Sequence, residues 1–135
     1  MSKSIVQSFK VATTLAAYRG VGAISGTANT VGYPESNQKL PFGITVDDVK
    51  DITEGIPVAC AGSIAKLYFN DTVGTGQLVG LDSSGRGVPF TIGALTSTSF
   101  TLMAAYIGVL VGPAVAATAV VENVLVMPGY ARGTA

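Results

Sequence analysis

Glycine and proline cut this chain into short apolar runs, and that punctuation limits what it can fold into. With 17 Gly and 6 Pro among 135 residues, few stretches are left for a helix of ordinary length, whereas strands of four to eight residues fit between the breaks. The clearest case runs from Thr75 to Phe90. Leu78, Val79 and Leu81 lead into Asp82-Ser83-Ser84-Gly85, and Val88 and Phe90 lead out. Asp caps such a turn through its carboxylate, and Gly takes its positive-φ position. Strand, tight turn, strand is therefore expected here, closed as a hairpin with a bulge. The expected class is all-β with at most one short helix: a small β-barrel or sandwich built around this hairpin.

The rest of the chain has the same grain. Met1–Lys10 scatters Ile5, Val6 and Phe9 among polar residues and has no continuous apolar core, so it reads as an extended arm rather than a signal peptide. Val11–Tyr18 leans to an extended segment. Val21–Tyr33 reads as strand, turn near Gly26–Asn29, and strand, and Pro34–Leu40 as a surface loop. Phe42–Thr45 returns to the interior. Thr45 followed by Asp48 resembles a capping box and suggests one helical turn over Val46–Asp51. Ile56–Gly62 and Ile64–Phe69 read as two strands with a kink or turn at Gly62. The expected organisation is an arm over 1–12, a single β-domain over 13–129, and a tail over 130–135.

Gly87 to Val121 carries no charge. Leu102–Val121 is long enough to cross a bilayer as a helix. Gly108, Gly112 and Pro113 interrupt it, and β-branched residues crowd its ends. Tyr106–Val111 as a buried strand, a turn at Gly112-Pro113 and a return strand over Val120–Met127 is the better reading.

Charge and chemistry narrow the function. Only 12% of residues are charged, 8 basic against 8 acidic, about half the usual share. Nothing in that balance favours nucleic acid or an anionic membrane. A surface so poor in charge suggests cover by a partner or by copies of the chain itself. Histidine is absent, which removes Ser-His and Cys-His dyads and His-ligated metal sites. The one cysteine, Cys60, sits in an apolar run and reads as an inert thiol. Asp47, Asp48, Asp51 and Glu54 lack the spacing of a calcium loop and read as a solvated, capped turn. Gly20–Gly26 lacks the spacing of a phosphate loop. No catalytic residue, cofactor or metal is expected.

Contact residues are the remaining candidates. Ile5, Phe9 and Lys10 lie in the arm. Asp82 and Arg86 flank the hairpin tip, where Arg86 either grips a partner's carboxylate or marks the turn. Tyr130 and Arg132 lie beyond the last expected strand.

These runs resemble the small β-rich capsid decoration, or cement, proteins of tailed bacteriophages. Three parts carry the likeness: Pro41–Thr45 leading through an acidic turn to Gly55–Val58, Gly76–Val79 with Asp82–Val88, and Tyr106–Leu110 with Val124–Pro128. The chain departs from the pattern at Gln77, where an acidic residue is usual, and over Val120–Asn123, which lacks the usual Gly. The resemblance implies a non-enzymatic virion protein, made in the host cytoplasm, that binds the major capsid protein on the outer surface of the head. There it would bridge neighbouring subunits, as a homotrimer or homodimer, and touch neither nucleic acid nor membrane. Another virion β-module, of the tail or a head fibre, is the alternative.

Overall fold

The structure is a computed structural model that describes residues 5–11, 13–24, 27–33, 41–48, 55–90 and 103–132. Of residues 103–105 and 130–132 it describes the backbone alone. The expected surface loop at 34–40 and the second half of the acidic cluster lie outside the described residues.

Ten strands carry the fold and no helix accompanies them among the described residues. In chain order they are β1 (Val6–Val11), β2 (Gly20–Ala23), β3 (Thr30–Gly32), β4 (Pro41–Thr45), β5 (Ile56–Ala59), β6 (Ile64–Phe69), β7 (Leu78–Leu81), β8 (Gly87–Pro89), β9 (Met103–Leu110) and β10 (Val120–Arg132). The all-β expectation holds, and β7 and β8 form the expected hairpin. From Met103 on, the uncharged stretch is divided between β9, a turn and the start of β10, and its residues 91–102 lie outside the described ones.

The strands close into two five-membered barrels. The N-terminal barrel runs β1-β3-β2-β4-β5 and the C-terminal one β6-β8-β7-β9-β10, each returning to its first strand. Closure gives each strand a neighbour on both sides over part of its length, while the ends of β9 and β10 beyond Val126 pair only with each other. Residues 6–11, expected as part of a free arm, are bonded on both sides, antiparallel to β5 and parallel to β3. Likewise Tyr130 and Arg132 do not lie beyond the last strand: β10 continues through them, pairing with Ala105 and Met103 of β9. Gly62 turns the chain out of the first barrel into the second, so β5 and β6 are consecutive without being paired.

The two barrels are the same fold in duplicate. In each, the first strand is parallel to the third and every other pairing is antiparallel. The registers agree residue by residue: Val6↔Ala59 matches Ile64↔Leu125, and Val11↔Val31 matches Phe69↔Gly87. The bulge between Val21 and Gly22 recurs between Val79 and Gly80. Loop conformations repeat as well. Tyr18 and Gly76 occupy one equivalent position and Asn29 and Gly85 another, all four with positive φ. Even the tightest approach recurs. A Cβ on Gly43 would meet the Ala59 carbonyl oxygen and Val58 Cγ1, and one on Gly108 would meet the equivalent groups of Leu125 and Val124.

Each barrel buries its inward-facing row, as strand alternation requires. Val11, Leu15, Val21, Val31, Ile56 and Val58 fill the first. Leu67, Phe69, Val79, Ile107, Leu110, Val124 and Val126 fill the second. Because the Leu125 carbonyl cannot move without breaking the β10 ladder, Gly108→Ala is expected to cost about 3 kcal/mol by overpacking. Urea unfolding monitored by circular dichroism measures it, and Gly43→Ala is expected to behave alike.

Candidate functional site

The seam between the barrels is where the chemistry of this surface concentrates. Ile44 faces outward from the first barrel, yet it is fully buried, because it belongs to the core cluster of the second with Leu67, Phe69 and Val79. Beside it the Tyr68 N–H donates to the Tyr18 carbonyl at 2.8 Å, and the Gly20 N–H to the Gly85 carbonyl at 2.7 Å. Tyr18 holds φ at 62°, an uncommon value for a residue with a side chain. Its amide in turn donates to Thr45.

Arg19 lies across the same seam, its guanidinium carbon 4.2 Å from the centre of the Tyr68 ring. Its buried Nε has no hydrogen-bond partner among the described residues. A cation held against a ring and shielded from water gains up to about 2 kcal/mol. The Thr45 hydroxyl donates to the Ala16 carbonyl and accepts from the Arg19 N–H, and Asp48 Oδ1 accepts from the Ala17 N–H at 2.6 Å. Asp48 thus tethers the corner that carries Tyr18 and Arg19, and Val46–Asp47 forms a bend where the helical turn was expected to start, the rest of that turn lying outside the described residues.

The hairpin tip belongs to this seam as well. Asp82 Oδ1 accepts from the amides of Ser84 and Arg86, and Asp82 Oδ2 accepts from Arg86 Nε at 2.8 Å. The Nε side of the Arg86 guanidinium is thus engaged by its own turn, and the side chain stays 35% exposed. Gly85, with φ at 74°, presses against the first barrel so closely that a Cβ would stand 2.5 Å from the Gly20 carbonyl oxygen. Both the dihedral and the contact require glycine there.

The other expected contact residues are scattered. Ile5 is 49% exposed, but its carbonyl accepts from the Cys60 N–H and the Ser63 hydroxyl, and its N–H donates to that hydroxyl. Phe9 turns inward and meets Phe42 edge-on, with ring centroids 5.1 Å apart. Lys10 is exposed, and its amide donates to Asn29. Tyr130 and Arg132 lie on β10, away from the hairpin in sequence and register. The structure therefore joins Asp82 to Arg86, and sets Phe9 and Lys10 on opposite faces of β1. Gln77, the departure from the decoration-protein pattern, closes its turn by accepting from the Gly74 N–H at 2.9 Å.

Sequence reasoning did not find the groove that runs beside the seam. Val6, Tyr18, Thr45, Val46 and Ala59 line it from the first barrel, and Ile64, Ala65 and Lys66 from the second, around about 360 Å³. Val6, Val46 and Ile64 are each more than 40% exposed. Such an apolar concavity can hold an apolar side chain or strand of a partner. Its one sequence signal is the alternation of β6, where Leu67 and Phe69 point in and Ile64 is left outside. Cys60 lies close by in sequence, half-buried, and burial pushes its thiol pKa up despite an opposing backbone hydrogen bond from Gln7. At neutral pH it stays protonated, a poor nucleophile.

No protein-family model matches the chain, and no curated protein matches it. The fold is similar to a solved structure, the crystal structure of the head fiber gp8.5 N base of bacteriophage phi29, with a TM-score of 0.61. The correspondence covers 93% of this chain and 95% of that one, at 13% sequence identity. The shared property is thus the fold, over nearly all of both chains.

The seam generates a test. Replacing Tyr68 by Leu keeps an apolar side chain but removes the ring face from Arg19, and is expected to lower stability by about 1–2 kcal/mol. In an Arg19→Met background the same change is expected to cost much less. The double-mutant cycle, read by chemical denaturation, measures the difference.

Proposed function

We propose that this chain is a structural, non-enzymatic protein of a tailed-phage virion that binds the outside of the head. The observation that carries the reading is the correspondence of fold, over nearly the whole of both chains, with the base of a phage head fibre. The sequence resemblance to capsid decoration proteins points the same way, and it was drawn from different features, the Gly-punctuated motifs at Pro41–Thr45, Gly76–Val88 and Tyr106–Pro128. Low surface charge and an exposed apolar groove fit a protein that spends its working life against a partner. Many copies on one shell would make modest individual contacts collectively strong.

Within that reading the partner is the major capsid protein, and the role is that of a cement, stabilising the shell. The similarity to a fibre base favours a second role, in which the two barrels form a socket that anchors an appendage. The two differ in what binding does to the shell. In a cosedimentation experiment with heads that lack the protein, saturable binding is expected in both. A raised temperature of head disruption follows from the cement role, and an unchanged temperature from the fibre-base role. Failure to bind mature or immature heads would contradict both.

A further inference from the structure

The duplication shows what the outer face of the second barrel is built to do. In the first barrel one cross-strand row, Val6–Ala59–Ile44–Gly20, runs over β1, β5, β4 and β2. This row points away from its own core and makes the seam: Ile44 is buried in the other barrel's core, Gly20 lies under Leu81, and Val6 and Ala59 line the groove. The equivalent row in the second barrel is Ile64–Leu125–Val109–Leu78, over β6, β10, β9 and β7. Its registers are the same, but among the described residues no third barrel lies against it. Ile64 is 44% exposed and the other three are partly exposed. Val111 and Met127, on the outer side of the flanking positions, are also more than 40% exposed.

We propose that the row Ile64–Leu125–Val109–Leu78 is a second seam surface, occupied by the same row of a second copy of this chain. Continuity with the internal interface is the first argument. The position that seals the two barrels is a strand row of this geometry, and its second instance carries four apolar side chains and no charge. Packing the row on itself brings no like charges together and gives the isologous contact of a two-fold dimer.

Repetition of the internal seam head to tail is disfavoured by two observations. The face that covers the row internally uses Tyr68, Leu81 and Gly85. Its equivalent on the first barrel is Lys10, Ala23 and Asn29, all exposed, and there the Lys10 N–H is already satisfied by the Asn29 carbonyl. That face is polar and closed. The row itself has also changed shape. Gly20 and Ala59 leave room for the other barrel, whereas Leu78 and Leu125 fill the equivalent positions. A protruding row matches an apolar counterpart better than the polar face of Lys10 and Asn29. The inference does not depend on the phage reading, because it concerns the chain alone.

The test is the mass of the purified full chain by sedimentation velocity over a range of micromolar concentrations. The expected result is a dimer of the 13.6 kDa protomer, converted to monomer by Leu125→Asp with the far-ultraviolet circular dichroism unchanged. Should Leu125→Asp fail to fold, Ile64→Lys, at a position already open to water, is expected to give the same dissociation. A Leu125→Cys chain in a Cys60→Ser background is expected to form a disulfide with its own kind under mild oxidation. A monomer at every concentration would overturn the proposal. So would an unchanged dimer mass in both charge variants, or a cross-link from Leu125→Cys to Ala23→Cys in preference to itself, the signature of head-to-tail contact.

Discussion

The burial of Ile44 in the core of the neighbouring barrel holds the rest of this architecture together. Each barrel alone is a short five-strand circuit, and chains of that length bury too little surface to be comfortably stable. Ile44 changes this by leaving one barrel and joining the core cluster of the other. Around it the seam satisfies the polar groups that burial would otherwise strand: Tyr68 to Tyr18, Gly20 to Gly85, and Arg19 on the Tyr68 ring. Special backbone geometry gathers there for the same reason. Tyr18 holds a left-handed conformation that turns its carbonyl toward β6, and Gly85 permits contact that no side chain would allow.

How much of this was legible depends on how local the signal was. The β7–β8 hairpin could be read directly, because Asp82 and Gly85 carry turn chemistry that acts over five residues. The division of 103–132 into two strands followed from Gly112 and Pro113. The closure into two barrels could not be read, since it rests on parallel pairs, β1 with β3 and β6 with β8, that local pattern does not encode. Phe42–Thr45 was expected to enter an interior, and it does. That the interior reached by Ile44 belongs to the other barrel depends on long-range packing.

The duplication was hidden for a related reason. Aligned by register, the barrels share few identities, among them Val21 with Val79, Gly22 with Gly80, Gly43 with Gly108 and Val58 with Val124. These are small or β-branched residues that backbone approach and strand packing demand, and they are common throughout such a chain. The β2–β3 and β7–β8 turns also differ in length, with Ile24 bonded to Thr30 in one and Asp82 to Arg86 in the other. The arm was misjudged because its polar residues are exposed ones. Val6, Ser8 and Lys10 alternate with Phe9 and Val11, and that alternation is a strand with one wet face. Of the candidate contacts, Asp82 and Arg86 pair with each other within their own turn, whereas the groove at Val6, Val46 and Ile64 emerged only in three dimensions.

Native-state hydrogen exchange at the two amides that cross between the barrels tests the central claim, that the seam makes one cooperative body of two small ones. The Tyr68 and Gly20 amides donate to carbonyls of the other barrel. If the seam joins the cores, both exchange only through global unfolding, with the same protection and denaturant dependence as the amide of Leu67 or Val79. If they exchange at much lower free energy while each barrel's own ladder stays protected, the barrels open apart as separate bodies and the account is contradicted.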